Sequence, residues 1–236
     1  MPVAGEHSLD KKTAHYLFEV LRLTVGDSFV AFDPERRLEA DATLLASGRA
    51  ARFRASEPRA ALRVADSGVV LIQALSKADK VEQVVRHATA LGVSAVHVVE
   101  SERSVARAGE RADARRARWH ACALDAARQS GRGDCPLVTG PDELGAELAR
   151  VAPLAGIKLC LAPGAEQSLK RSASGWRAGE PLYLLVGPEG GLSEQELEQA
   201  VRAGFRLARF GELVLRTEIA GIAVLGALSV LGEREL

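Results

Sequence analysis

The residues best suited to chemistry lie in two glycine turns near the C-terminal end of the chain. The first is Gly187-Pro188-Glu189-Gly190-Gly191, set between the apolar run 182–186 and the S-x-x-E pair Ser193 and Glu196. The apolar run reads as a buried strand, and the pair as a capping box that opens a helix. Gly204 is placed to end that helix. The second turn comes one helix and one strand later: Phe210-Gly211, then Glu212, Leu213, Val214 and Leu215, then Arg216, Thr217 and Glu218. A third expected strand, 158–161, runs into Ala162-Pro163-Gly164. Glycine lets a ligand approach the backbone closely, and in α/β sheets ligands bind outside the carboxyl ends of the strands. Three such strand ends can line one pocket; the alternative is three tight turns with no ligand. None reads G-x-G-x-x-G or G-x-x-x-x-G-K-[ST], so neither a dinucleotide fingerprint nor a phosphate loop is indicated.

The elements that must position these turns follow from periodicity. From residue 69 onward, expected strands (69–74, 95–99, 157–162, 182–186 and 205–210) alternate with expected helices (77–91, 113–130 and 217–231). That alternation predicts an α/β fold with a mostly parallel sheet covered on both faces. The first 66 residues read differently. Short apolar runs at 29–32 and 60–64, alternation over 38–44 and turn residues between them predict small antiparallel strands, arranged as a compact barrel, with one helix over 15–23. The domains are therefore expected at 1–66 and 67–236.

Composition narrows the class. The 47% apolar and 26% charged fractions are ordinary for a soluble globular protein, and 236 residues can bury a real core. Zero formal net charge removes the global signature of a nucleic-acid binder and leaves only local patches. Of the 31 basic residues only six are lysine, and arginine's planar fork suits bidentate phosphate contacts. Cys122, Cys135 and Cys160 form no metal-ligand spacing, so reduced thiols in a cytoplasmic protein and no metal are expected. The N-terminal residues lack the apolar core of a signal peptide, and the run 219–231 falls short of the roughly 20 residues a membrane span needs.

The two glycine turns also carry a resemblance. LLVGPEGGLSEQELEQA, then GF, then FGELVLRTEIA, resembles the SPOUT (trefoil-knot) methyltransferases. Within them it is similar to the family that methylates N3 of a uridine in small-subunit (16S) ribosomal RNA. Gln73 to Lys77, His87 to Val93, Arg118-Trp119, and Ala126 to Arg132 with Pro136 agree with further motifs of that family. So do His15-Tyr16-Leu17, Val20-Leu21-Arg22 and Val25-Gly26-Asp27 in the first module. Departures fall at His87, Ala90, Leu213 and Ile219, and the arginine-aromatic start common in the family is missing.

The resemblance implies a knotted C-terminal domain, a PUA-like first module that helps hold RNA, S-adenosylmethionine as cofactor, and a homodimer. It implies cofactor contacts at Leu161, Ala162, Gly187, Glu189, Gly190, Gly191, Phe210, Gly211, Val214 and Leu215. Uridine N3 is a poor nucleophile until it loses its proton, so a site should favour the anion. Arg216 is the candidate for that electrostatic role, or else a bridge to a loop carbonyl or a second subunit. Glu218 is either a base or a charge placed at a helix N-terminus by the macrodipole. RNA contacts are expected from His15, Arg22, Lys77, Arg128, Gln129 and Arg132, with the basic stretch 103–118 in support; each of these is otherwise a solvated surface side chain. Two other readings stand beside this one: a SPOUT enzyme acting on tRNA or a ribose 2′-hydroxyl, and a non-catalytic RNA-binding assembly factor.

Overall fold

The computed structural model describes residues 3–65, 67–77, 80–104 and 112–232. The chain divides into two compact units, one of Met1–Val64 with Gly131–Asp134, the other of Ala65–Ser130 with Cys135–Leu236.

The first unit contains β1 (Gly5–Ser8), α1 (Lys11–His15), β2 (Ser28–Asp33), β3 (Leu38–Ala46), β4 (Arg52–Ala55) and β5 (Arg59–Ala60). The strands are antiparallel in the order β1-β4-β3-β2, with β5 on β3. Alternation decides the faces: Phe53 and Ala55 of β4 join Leu17, Ala40, Ala42 and Leu44 in the core, while Arg52 and Arg54 point outward to Glu6 of β1 at 3.4 and 2.8 Å. The helix starts earlier than periodicity suggests because Asp10 caps it, accepting from Thr13 N at 3.0 Å and from Thr13 Oγ1 at 2.6 Å. The strand expected over 60–64 shrinks to β5. Its remaining backbone groups go elsewhere: Leu62 N–H to the Glu39 carboxylate at 3.1 Å, and Arg63 C=O to Gly133 N–H at 2.7 Å.

The second unit contains β6 (Val69–Ala74), α2 (Lys80–Ala90), β7 (Ala95–Glu100), α3 (Ala112–Ser130), β8 (Leu137–Glu143), α4 (Leu144–Val151), β9 (Ile157–Leu161), α5 (Leu169–Ser172), β10 (Leu182–Val186), α6 (Glu194–Arg202), β11 (Arg206–Ala208) and α7 (Thr217–Leu231). The strands pair in parallel in the order β11-β9-β10-β6-β7-β8. This is the α/β class with a parallel sheet that the alternation predicts. Successive residues of the central strands serve opposite cores. Leu182, Leu184 and Val186 face α2, α3 and α7, whereas Tyr183 and Leu185 face α4 and α6. All five residues of β10 are buried, as a strand covered on both faces requires. Each such side chain contributes roughly 1.5–3 kcal/mol of transfer free energy.

β8, α4 and α5 were not anticipated. β8 carries Gly140-Pro141, a pair that ordinarily ends a strand. β11 is shorter than expected because Phe205 closes α6 instead, its N–H bonding Ala200 C=O at 3.0 Å. No helix among the described residues is long and apolar enough to cross a membrane.

His97, which has no evident role in the sequence, proves structural. Its Nδ1 lies 2.7 Å from Glu147 Oε1 and 2.7 Å from Arg150 Nη2, and Arg150 also forks onto both Glu147 oxygens at 2.8 and 2.6 Å. Burial opposes ionisation of Glu147, but Arg150 and His97 outweigh it and hold the carboxyl at about 2. An unfolded glutamate titrates near 4.5. The stabilisation is therefore complete above that pH and is lost as pH falls toward 2. Glu147→Gln is expected to lower stability at neutral pH by about 1–3 kcal/mol. It should also flatten the loss of stability across that acidic window. Guanidinium midpoints measured from pH 2 to pH 7 check both.

Candidate functional site

Because the sheet is parallel, the loops after β9, β10 and β11 leave from one edge. With the start of α7 they enclose a cavity of about 530 Å³. Its apolar walls include Leu161, Ala162, Val186, Phe210, Val214, Leu215 and Ala220, and its polar walls Lys80, Glu189, Glu212, Arg216 and Thr217.

The glycines have distinct reasons to be there. Gly191 and Gly211 have φ of +69° and +73°, where a side chain is strained. A Cβ on Gly187 would come within 3.1 Å of the Leu192 side chain and 3.2 Å of its backbone nitrogen. The Ser193–Glu196 capping box is fully formed and starts α6 just beyond this loop. Glu196 does more than cap: its second oxygen accepts from Glu102 N at 2.7 Å, tying the loop after β7 to α6.

A buried polar chain fixes the cavity floor. Gln73 Nε2 donates to Thr217 Oγ1 at 2.9 Å and to Ala74 O at 3.1 Å. Thr217 Oγ1 in turn donates to Gly187 O at 2.6 Å. β6, the loop after β10 and the first turn of α7 are thus joined.

A charged cluster stands beside it. Lys80 Nζ lies 3.0 Å from Glu189 Oε1 and 3.2 Å from Glu218 Oε2. The Glu218 contact is an ion pair outside hydrogen-bond alignment, since that buried oxygen has no hydrogen-bond partner. Glu189 first, then Glu218, raises the Lys80 pKa against the effect of burial. Burial pushes the Glu189 carboxyl up, but its own backbone N–H and Lys80 together bring it below the usual range.

The cavity brings together most residues singled out in the sequence: Leu161, Ala162, Gly187, Glu189, Gly191, Phe210, Gly211, Val214, Leu215 and Arg216. Two lie off its walls. Gly190 packs against Arg103, whose Nη1 donates to Gly190 O at 3.2 Å. Glu218 sits behind Lys80, in the first turn of α7. His15, Arg22, Lys77, Arg128 and Gln129 are exposed; Arg22 has φ of +57°, and Arg128 meets Asp125 at 3.2 Å. Arg132 differs from the other expected RNA contacts. It is 5% exposed, and its guanidinium forks onto Asp134 at 2.6 and 2.9 Å. Within the basic stretch, Arg107, Glu110 and Arg111 lie outside the described residues. Lys80, Thr217 and Gln73 were not foreseen in these roles, because their partners are remote in sequence. Among the described residues no group of His, Cys, Asp and Glu side chains could hold a metal ion.

A family model described as an RNA methyltransferase domain matches residues 65–229. The protein named Ribosomal RNA small subunit methyltransferase E from Synechocystis is 30% identical over 225 residues, 93% of this chain and 71% of that one. The chain belongs to the ribosomal RNA small subunit methyltransferase E family. Family members of the same name from Mycobacterium bovis and Mycobacterium tuberculosis are 36% identical over 171 residues, 70% of this chain. The match spans 64% of those two proteins' own length. The family member from Neisseria gonorrhoeae, solved bound to S-adenosyl methionine, superposes with a TM-score of 0.84 at 27% identity, covering 98% of this chain and 94% of that one. The departures from family pattern at His87, Ala90, Leu213 and Ile219 are all exposed, and Leu213 lies on the cavity rim.

Proposed function

We propose that this chain transfers a methyl group from S-adenosylmethionine to N3 of a uridine in 16S ribosomal RNA. The observation that carries the reading is the single cavity in which glycine loops, apolar walls and an arginine converge. The cavity fits the cofactor on its own terms. Leu161, Ala162, Phe210, Val214 and Leu215 offer apolar surface to a purine. Backbone at Gly187, Gly191 and Gly211 is approachable without a side chain in the way. S-adenosylmethionine supplies an electrophilic methyl on a sulfonium, so neither a metal nor a covalent enzyme intermediate is required.

The chain's part is then alignment and charge. Arg216, at the loop–helix junction, stabilises the uridine anion as N3 gives up its proton. Orientation of N3 toward the methyl supplies much of the remaining rate. Glu218 serves as a charge in the first turn of α7, with its oxygen 3.2 Å from Lys80, in preference to acting as the base. His15 and Arg22 of the first unit, together with Lys77, Arg128 and Gln129, hold the RNA. We read the first unit, an antiparallel sheet around its own core, as a PUA-like barrel. We read the C-terminal segment as threaded into a trefoil knot; the convergence of three loops and the α7 start on one cavity supports this.

The enzyme acts as a homodimer in the cytoplasm. α7 supports the dimer: it is apolar all round, burying Val224, Leu225 and Leu228 while leaving Ile219, Val230 and Leu231 exposed. A second copy is the natural cover for such a face. Ile219→Arg is expected to yield monomers; light scattering after gel filtration that shows no parent dimer would overturn the assignment.

Labelled S-adenosylmethionine, purified protein and small subunits from cells lacking it test the activity, with the product mapped by mass spectrometry. One N3-methyluridine in 16S RNA supports the reading. A methyl on tRNA or on a ribose, or no incorporation at all, overturns it.

A further inference from the structure

Lys80 is the cation on the cavity wall whose charge is already taken by the protein itself. It opens α2, its side chain is only 25% exposed, and its two partners belong to separate segments. Glu189 is in the loop after β10, and Glu218 is in the first turn of α7. Those two segments lie side by side, joined already by the Thr217–Gly187 bond, and each brings a negative charge to the same place. Without a cation between them the carboxylates repel in a partly desolvated place. The ammonium pairs with both, 3.0 Å from Glu189 and 3.2 Å from Glu218.

We propose that Lys80 is a positioning residue for methyl transfer: it ties the glycine loop to α7 and thereby holds Arg216 in register with the cofactor pocket. The inference rests on the methyl-transfer reading of this cavity. Arg216 follows from the geometry, because it is the N-cap residue two positions before Glu218. Holding Glu218 to Glu189 adds to the Thr217–Gly187 bond in fixing the first turn of α7 against the glycine loop, and with it where the guanidinium stands. The other charges that face the cluster are Arg216 and Glu212 from the loop before α7, and Lys77, whose backbone N–H helps hold Glu189. Glu82 on α2 is engaged by Arg118 at 2.6 Å and takes no part.

The test is Lys80→Met, with Lys80→Arg and the double variant Lys80→Met/Glu189→Gln beside it. Removing the ammonium leaves two carboxylates together, so at least one of them should titrate about one pH unit higher or more. Carbon-13 carboxyl spectra, assigned with Glu189→Gln and Glu218→Gln, read this directly and need no activity. In methyl transfer, kcat of Lys80→Met should fall about tenfold or more at pH 8, the order expected when a positioned group is lost. Its deficit should shrink as pH falls and protonation relieves the repulsion. Lys80→Arg and the double variant should each recover part of the loss. Unchanged carboxyl titration, or a deficit equal at every pH, overturns the proposal. If the parent protein itself transfers no methyl, the functional reading fails, and the carboxyl titration still decides whether Lys80 holds the two glutamates.

Discussion

Arg216→Ala is expected to abolish methyl transfer while S-adenosylmethionine still binds. The guanidinium lies on the cavity wall and has no ion-pair partner among the described residues, so its field is not spent on a neighbouring carboxylate. Its side chain also makes no cap hydrogen bond to α7. The helix start is held by backbone instead, with Arg216 C=O accepting from Ile219 and Ala220 N–H at 2.9 Å each. Truncation should therefore leave stability within roughly 0.5 kcal/mol. Loss of one preorganised donor to a developing anion typically lowers kcat by about 10²–10³. Calorimetric titration with the cofactor and a single-turnover assay separate the two effects. A kcat within about threefold of the parent would remove Arg216 from the mechanism.

Thr217→Val should damage both the fold and the cofactor site. Thr217 is 6% exposed, and its hydroxyl sits in mid-chain between Gln73 and Gly187. Valine keeps the shape but deletes a donor and an acceptor. Gly187 C=O loses its 2.6 Å partner, and Gln73 retains only Ala74 O. An unsatisfied buried carbonyl costs about 1–3 kcal/mol, and networks of this kind lose more than one bond's worth. The orphaned group belongs to the glycine loop itself, so cofactor Kd should rise along with the drop in Tm. Thr217→Ser, which keeps the hydroxyl, should restore the affinity. A valine variant with parent Kd and Tm would show that the chain is incidental.

Much of this architecture is legible in the residues, and the gaps have physical causes. β6, β7, β9 and β10 are apolar runs because parallel strands are covered on both faces. The capping box at Ser193 and Glu196 is a local code, and the structure forms both of its bonds. β1 and β4 carry weaker signals: four-residue strands whose outward arginines and glutamate answer each other across the sheet. The cavity was foreseeable from its glycines, since their conformational demands are written in one residue each. Lys80 was not, because nothing near it in sequence announces Glu189 or Glu218. The pairing of Arg132 is hidden for the opposite reason. Its partner Asp134 is two residues away, yet only burial tells a paired arginine from a free one.

The strand order has a consequence for how the protein is made. β10 lies between β9 and β6, although both precede it in the chain. During synthesis β6, β7 and β8 can assemble first, leaving one apolar edge of β6 open. β9 emerges next but has no place beside that edge until 182–186 arrives to fill the gap. The nascent chain therefore carries an unpaired hydrophobic edge for as long as translation takes to supply β10. The loops and helix that build the cavity come later still. A ribosome that stalls before residue 217 should release a chain with most of its sheet and none of its α7, prone to aggregation and unable to bind a ligand at the sheet edge.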